Sequence, residues 1–252
     1  MGDKEILVSI VMNCYNSDKY LVEAIDSIYS QTYTNWEIIF FDNASTDKSA
    51  EIAKSYDNKL KYIKNNTLVP LYTARNLAIE YCNGEFIAFL DADDLWLPDK
   101  LIKQVTLINS GAKFVYTGYK TLNVSTDEEI NYNNSYKNKI TQSILYNNYI
   151  SISSVIISKD VLKKFKFDRN YNLLGDIDLW YRVATEIPLF TTNEVQVINR
   201  IHEKNLSKTL KNDWLRERRL FYKKIINCNK IIDLSILYYI IKTEFKGLVK
   251  KI

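Results

Sequence analysis

Residues 86–94, FIAFLDADD, run from an apolar stretch directly into three carboxylates. Carboxylates at the end of a buried strand are costly to desolvate unless they bind something. If the chain stays extended past Leu90, side chains alternate, so Asp91 and Asp93 point one way and Ala92 and Asp94 the other. Two acids on one side can grip a hard divalent cation, Mn²⁺ or Mg²⁺, which takes one or two carboxylates together with water and the phosphate oxygens of a substrate. A metal-diphosphate site is therefore the first expectation. The competing reading is that these acids cap the next helix, because Pro98 and Asp99 are helix-start residues. The chain has six glycines, none spaced as GxGxxG or as a P-loop, so a phosphate has to be held through a metal or through side chains.

The elements that must position these acids follow from two alternating periods. Residues 6–12 form a short apolar, β-rich run. Tyr20, Leu21, Ala24, Ile25, Ile28 and Tyr29 then recur at helical spacing, and 36–41 reads as a second strand. Ser45 or Thr46 is expected to cap a helix running towards Tyr56, with a strand at 60–63 and a helix over 71–81. Strands alternating with helices of this length predict an α/β chain with a mainly parallel, Rossmann-like sheet flanked by helices, and in such sheets ligands bind at the carboxyl ends of the strands. Tyr15, Asp42 and Asp91 all fall at such ends. Beyond a helix at 100–109 and a strand at 114–119, residues 123–138 are polar and read as a loop. Strands are expected at 153–157 and 194–201, a helix at 178–185, and two helices from 213 onward joined near 227–230.

The composition is that of a globular protein, 46% hydrophobic and 25% charged. The net charge of +4 is uneven: residues 213–252 hold ten Lys and Arg against four Asp and Glu. This divides the chain into an expected catalytic unit, 1–212, and basic amphipathic C-terminal helices, 213–252. Three widely spaced cysteines point to a reducing compartment. No charged-then-apolar leader opens the chain and no apolar run reaches membrane-spanning length, so a cytoplasmic location is expected, with no nucleic-acid partner.

Six blocks in order, VSIVMNCYN (8–16), FDNASTD (41–47), ARN (74–76), GEFIAFLDADD (84–94), GDIDLW (175–180) and RIHEKNLS (200–207), resemble the inverting glycosyltransferases of the large bacterial family 2, which have the GT-A fold. The resemblance implies a metal-dependent transfer of a sugar from a nucleotide-sugar, expected to be a UDP-sugar, to an acceptor hydroxyl on a bacterial surface glycan or lipid-linked glycan. It implies that Tyr15 lies against the base, that Asp42 accepts hydrogen bonds from it, and that Arg75 neutralises diphosphate charge. Asp91 would hold the ribose or a metal-bound water, Asp93 would be the metal ligand with His202 completing the site, and Asp94 would be structural. A neutral imidazole suits Mn²⁺ better than Mg²⁺. An acceptor alcohol needs a positioned base, and the matching residue is Asp176, with Gly175 standing where the family usually has Glu. Asn13 replaces the usual proline of the first block, and Asn43 and Ala44 replace the usual Asp-Gly.

The basic helices after 213 can either lie on an anionic membrane surface, at the inner face of the cytoplasmic membrane, or pack on the catalytic unit. Three alternatives to transfer remain at this point: a nucleotidyltransferase, which lacks its glycine-rich loop here; a hydrolase using Asp93 and Asp176 as paired carboxylates; and a non-catalytic nucleotide-sugar-binding module that kept the fold.

Overall fold

The computed structural model describes residues 5–132, 144, 150–210 and 213–228. Four strands, β1 (Val8–Cys14), β2 (Trp36–Asp42), β3 (Leu60–Lys64) and β4 (Phe86–Phe89), pair in parallel in the order β3-β2-β1-β4. Helices α1 (Asp18–Tyr29), α2 (Ser49–Lys54) and α3 (Leu71–Ile79) cross between them, as the alternating periods predict. The sheet continues through β8 (Val155–Ser158), β6 (Phe114–Asn123), β9 (Phe190–Ile201) and the two-residue β5 (Leu95–Trp96). Here β8 runs antiparallel to β4 and β6, and β5 antiparallel to β9, so the sheet is parallel in its first half and mixed in its second.

Alternation along β1 and β2 divides the core in two. Val8, Ile10, Met12, Ile38 and Phe40 face α1, α2 and α4 (Lys100–Asn109). Val11, Ile39 and Phe41 face α3, α5 (Lys159–Phe165) and α6 (Gly175–Ala184). Each fully buried large aliphatic side chain contributes about 1.5–3 kcal/mol. A short α7 (Leu206–Thr209) leads to α8 (Asp213–Cys228), whose Phe221, Tyr222 and Ile225 are buried in the same core as α3 and α6. The described part of the basic segment is thus packed on the catalytic unit. Its continuation, including the second expected helix, lies outside the described residues.

Several local expectations change. Only part of 123–132 is loop: β6 extends to Asn123, residues 124–128 turn, with Asp127 at φ 54°, and β7 (Glu129–Tyr132) pairs back antiparallel. Tyr119 and Tyr132 stack across the pair at 4.8 Å, which explains why a polar stretch holds strand structure. The rest of 123–138 lies outside the described residues. Neither Ser45 nor Thr46 caps α2; the helix starts at Ser49, whose amide donates to Asp47 Oδ1 at 3.0 Å. Helix α6 begins at Gly175 rather than at 178, which moves Asp176 into its first turn. Among the described helices none is long and apolar enough to cross a membrane.

Candidate active site

The acids of the fourth block do not continue β4. The strand ends at Phe89 and the chain turns, with the Asp94 amide donating to the Asp91 carbonyl at 3.0 Å. The turn is fixed by Asp94, which is buried and accepts from Ser153 Oγ at 2.6 Å and from the Arg200 amide at 3.1 Å. Burial, reinforced by Asp93 and Asp91, pushes the Asp94 carboxyl well above the usual range. Its expected structural role is the one observed. The simple alternation expected for Asp91 and Asp93 is therefore replaced by a turn that aims them at different partners. Asp91 Oδ1 accepts from the Arg75 guanidinium at 2.7 Å, and Asp93 Oδ2 meets His202 Nε2 at 2.9 Å and Asn205 Nδ2 at 3.0 Å. The two acids still feel each other: burial and then the Asp91 charge raise the Asp93 carboxyl.

His202 arrives from the end of β9 and packs on Tyr20, ring centroids 5.0 Å apart. Its Nδ1 accepts from the Lys204 amide at 3.2 Å, which leaves the ring proton on Nε2, facing Asp93. Asp93 and His202 form a two-ligand donor set, carboxylate plus imidazole, suited to Mn²⁺. Among the described residues no third His, Cys, Asp or Glu joins them, and an open set of this kind suits a cation whose remaining positions go to substrate phosphates and water. To hold a cation through Nε2 as a neutral imidazole, the ring would carry its proton on Nδ1 instead, in place of the Lys204 contact.

Arg75, only 3% exposed, sits over the rings of Tyr72 at 5.3 Å and Phe167 at 5.9 Å. The charges of Asp91 and Asp176 both act on it and hold its guanidinium protonated against burial. Asp176 is carried by α6. Its Oδ1 accepts from the Ile177 amide at 2.8 Å and lies 3.2 Å from the Tyr72 hydroxyl. Desolvation raises its carboxyl, with Arg75 opposing that shift. Asp178 turns away from the site and is buried between Arg182 at 2.8 Å and Lys224 at 2.7 Å. The arrangement gathers a cation, a desolvated carboxylate and an Asp–His pair from four separate segments.

On the rim beside β1 and β2, Tyr15 is 48% exposed, an aromatic face open to a ligand. Asp42 is 1% exposed and both its oxygens are engaged, Oδ2 by the Tyr62 hydroxyl at 2.5 Å and Oδ1 by the Ser45 amide at 2.8 Å. Asn43 ties down the loop after β3 through the Val69 carbonyl at 2.8 Å and the Val69 amide at 3.1 Å. Ala44 adopts φ 67°, a left-handed conformation that favours glycine, which gives a backbone reason for the usual Gly in this block.

Tyr72 and Glu217 lie outside the six blocks, and Asn205 stands inside the last of them with no role assigned from the sequence. Tyr72 lies one helical turn before Arg75 on the same face, a spacing that could have flagged it. Asn205 follows His202 by the same interval. Glu217 is an acid on a basic helix, yet it falls on the stripe of Phe221 and Ile225 that faces the core. It is fully buried and accepts the amides of Asn172 at 2.7 Å, Leu173 at 2.9 Å and Leu174 at 3.0 Å, immediately before α6.

Residues 9–169 match the model of "Glycosyl transferase family 2". The match stops short of Asp176 and Glu217. The chain is 31% identical over 97% of its length, and 95% of the relative's, to an Escherichia coli protein named UDP-Glc:alpha-D-GlcNAc-diphosphoundecaprenol beta-1,3-glucosyltransferase WfaP. It is 31% identical over 81% of its length, and 83% of the relative's, to the E. coli O-antigen biosynthesis glycosyltransferase WbnJ. Among solved structures, S. aureus TarS 1-349 in complex with UDP-GlcNAc superposes with a TM-score of 0.75 at 21% identity, covering 96% of this chain and 73% of that one. The expected GT-A fold is the fold observed. On the family match and the full-length relative together, the chain belongs to glycosyl transferase family 2 and is a glycosyltransferase.

Proposed function

We propose that the protein transfers a hexose from a UDP-sugar, with inversion, to a hydroxyl of a lipid-linked glycan acceptor in surface polysaccharide synthesis, with Mn²⁺ or Mg²⁺ as cofactor. The observation that carries the reading is the buried Arg75, on which the carboxylates of two distant segments converge, Asp91 by a 2.7 Å ion pair and Asp176 through its charge. The named donor of WfaP and the ligand of the TarS complex support the choice of UDP. The structural neighbour PcManGT from Pyrobaculum calidifontis, in complex with GDP-Man and Mn²⁺, supports the metal.

In this reading Tyr15 stacks on the base and Asp42, held by Tyr62 and the Ser45 amide, accepts from it. Arg75 holds Asp91 towards the ribose. Asp93 and His202 would hold the metal, which, when bound, supplies positive charge to the departing diphosphate. Asp176 takes the proton of the acceptor hydroxyl as that oxygen forms its bond to the anomeric carbon and the C–O bond to the diphosphate breaks on the opposite face. Burial raises its proton affinity, which suits a base that must accept a proton near neutrality. Two units, 1–212 and 213–252, remain a working division, with the basic segment as a contact for the anionic membrane that carries the acceptor.

The test is Asp176→Asn. Transfer from UDP-glucose to a GlcNAc-diphosphate-lipid should fall by roughly 10²–10⁴-fold, the usual worth of a general base, while UDP binding by calorimetry stays within a factor of two of wild type. Retained transfer would refute the assignment of the base.

A further inference from the structure

Asp176 needs a fixed direction to act, and the glutamate that precedes it in the resembled family is absent. The reason lies in packing. A Cβ on Gly175 would stand 2.5 Å from Tyr72 Cδ2 and 2.6 Å from Cε2, so the volume beside Gly175 belongs to the tyrosine ring. That ring also stacks on Phe167, centroids 5.4 Å apart. Its hydroxyl reaches the Leu173 carbonyl at 3.0 Å and Asp176 Oδ1 at 3.2 Å. Because Tyr72 is buried and its pKa is held well above the usual value, the hydroxyl keeps its proton and stays a donor throughout the working pH range.

We infer that Tyr72 is the positioning residue for Asp176, its ring excluding any side chain at position 175 and its one hydroxyl proton shared between Oδ1 and the Leu173 carbonyl before α6. This rests on Asp176 being the base. Oδ1 is then filled by two donors, the Tyr72 hydroxyl and the Ile177 amide. With Oδ1 engaged by these contacts, Oδ2 is the oxygen left to meet the acceptor. Fixing one carboxylate oxygen leaves a single lone-pair direction for proton capture, the geometric demand on a general base. The charged and titratable groups facing Asp176 are Tyr72 and Arg75 from α3 and Asp91 after β4.

The experiment pairs Tyr72→Phe with Asp176→Asn, using UDP-glucose and a GlcNAc-diphosphate-lipid. Y72F keeps the ring and the fit against Gly175, and removes only the hydroxyl. The inference expects a roughly ten- to hundredfold lower kcat, as for loss of one hydrogen bond to a charged group, with donor KM unchanged. It also expects the acid limb of the kcat/KM profile at higher pH, since a carboxylate with one donor fewer holds its proton more tightly. A filler role alone would move neither quantity, so Y72F with wild-type kcat and pH profile overturns the inference while leaving the base assignment to D176N. Active D176N overturns the base assignment itself. If Y72F does not fold, 3-fluorotyrosine at position 72 keeps ring and hydroxyl while strengthening the donor. The acid limb should then move to lower pH, and an unmoved limb counts against the role. A crystal structure of Y72F gives a readout independent of turnover: Asp176 should leave its present rotamer, and a carboxylate unmoved would overturn the proposal.

Discussion

Replacing Glu217 tests whether the C-terminal helix is part of the catalytic unit. Its carboxylate accepts three successive backbone N–H groups, at 2.7, 2.9 and 3.0 Å, with the Arg216 guanidinium 3.6 Å away. Glu217→Ala leaves all three amides without that acceptor. Each hydrogen bond to a charged group is worth about 1.5–3 kcal/mol, but Asn172 and Leu173 are half-buried and water can rescue part of the loss. Three such bonds, discounted for that rescue, put the expected cost at about 3–5 kcal/mol. Glu217→Gln retains one acceptor oxygen but turns an NH₂ towards an amide, for about 1–2 kcal/mol. Against a total stability of about 5–15 kcal/mol these are large losses. Urea unfolding followed by tryptophan fluorescence measures them, helped by Trp180 on α6 and Trp214 on α8. Hydrogen exchange at 172–174 should lose protection in both variants. An E217A protein within about 0.5 kcal/mol of wild type, the range of ordinary surface substitutions, with protected amides at 172–174, would refute the argument that α8 holds the loop before Asp176.

Two further outcomes follow from the same geometry. Gly175→Ala should cost about 1–3 kcal/mol by overpacking against the Tyr72 ring; Y72F should not relieve it, and Tyr72→Ala should, as a double-mutant cycle in urea will register. His202→Ala and Asp93→Asn should each abolish the Mn²⁺-dependent part of the thermal stabilisation by UDP while leaving the part seen in EDTA; an undiminished Mn²⁺ effect would remove these two residues as ligands.

Much of the fold is legible along the chain because its signals are local. Apolar runs of strand length alternating with helical spacing place β1 to β4 and α1 to α3. The carboxylates after Leu90 mark the strand end, whatever the backbone does next. What the chain does next is not local. The Asp91–Asp94 turn is held by Ser153 and Arg200, which are distant in sequence, so an extended continuation was a reasonable and incorrect expectation. The hairpin of β6 and β7 rests on cross-strand pairing that a polar composition conceals, and α5 carries too short a pattern to be seen.

The site divides along the same line. Asp91, Asp93, Arg75, Asp176 and His202, the residues proposed for the site, stand out by residue type and block order, because the chemistry of metal, phosphate and proton transfer accepts few alternatives. Their partners are not, because a partner is chosen by position in space. Tyr72 reaches Asp176 across the sheet face, and Glu217 reaches residues 172–174 from another helix. The sequence alone determined which atoms can do chemistry and the sheet that brings them to one edge. The tertiary structure decided which carboxylate oxygen is left free and what fills the space beside Gly175, since hydrogen-bond direction and close packing depend on neighbours that only folding supplies. It also decided that the basic helix packs its Glu217 inward.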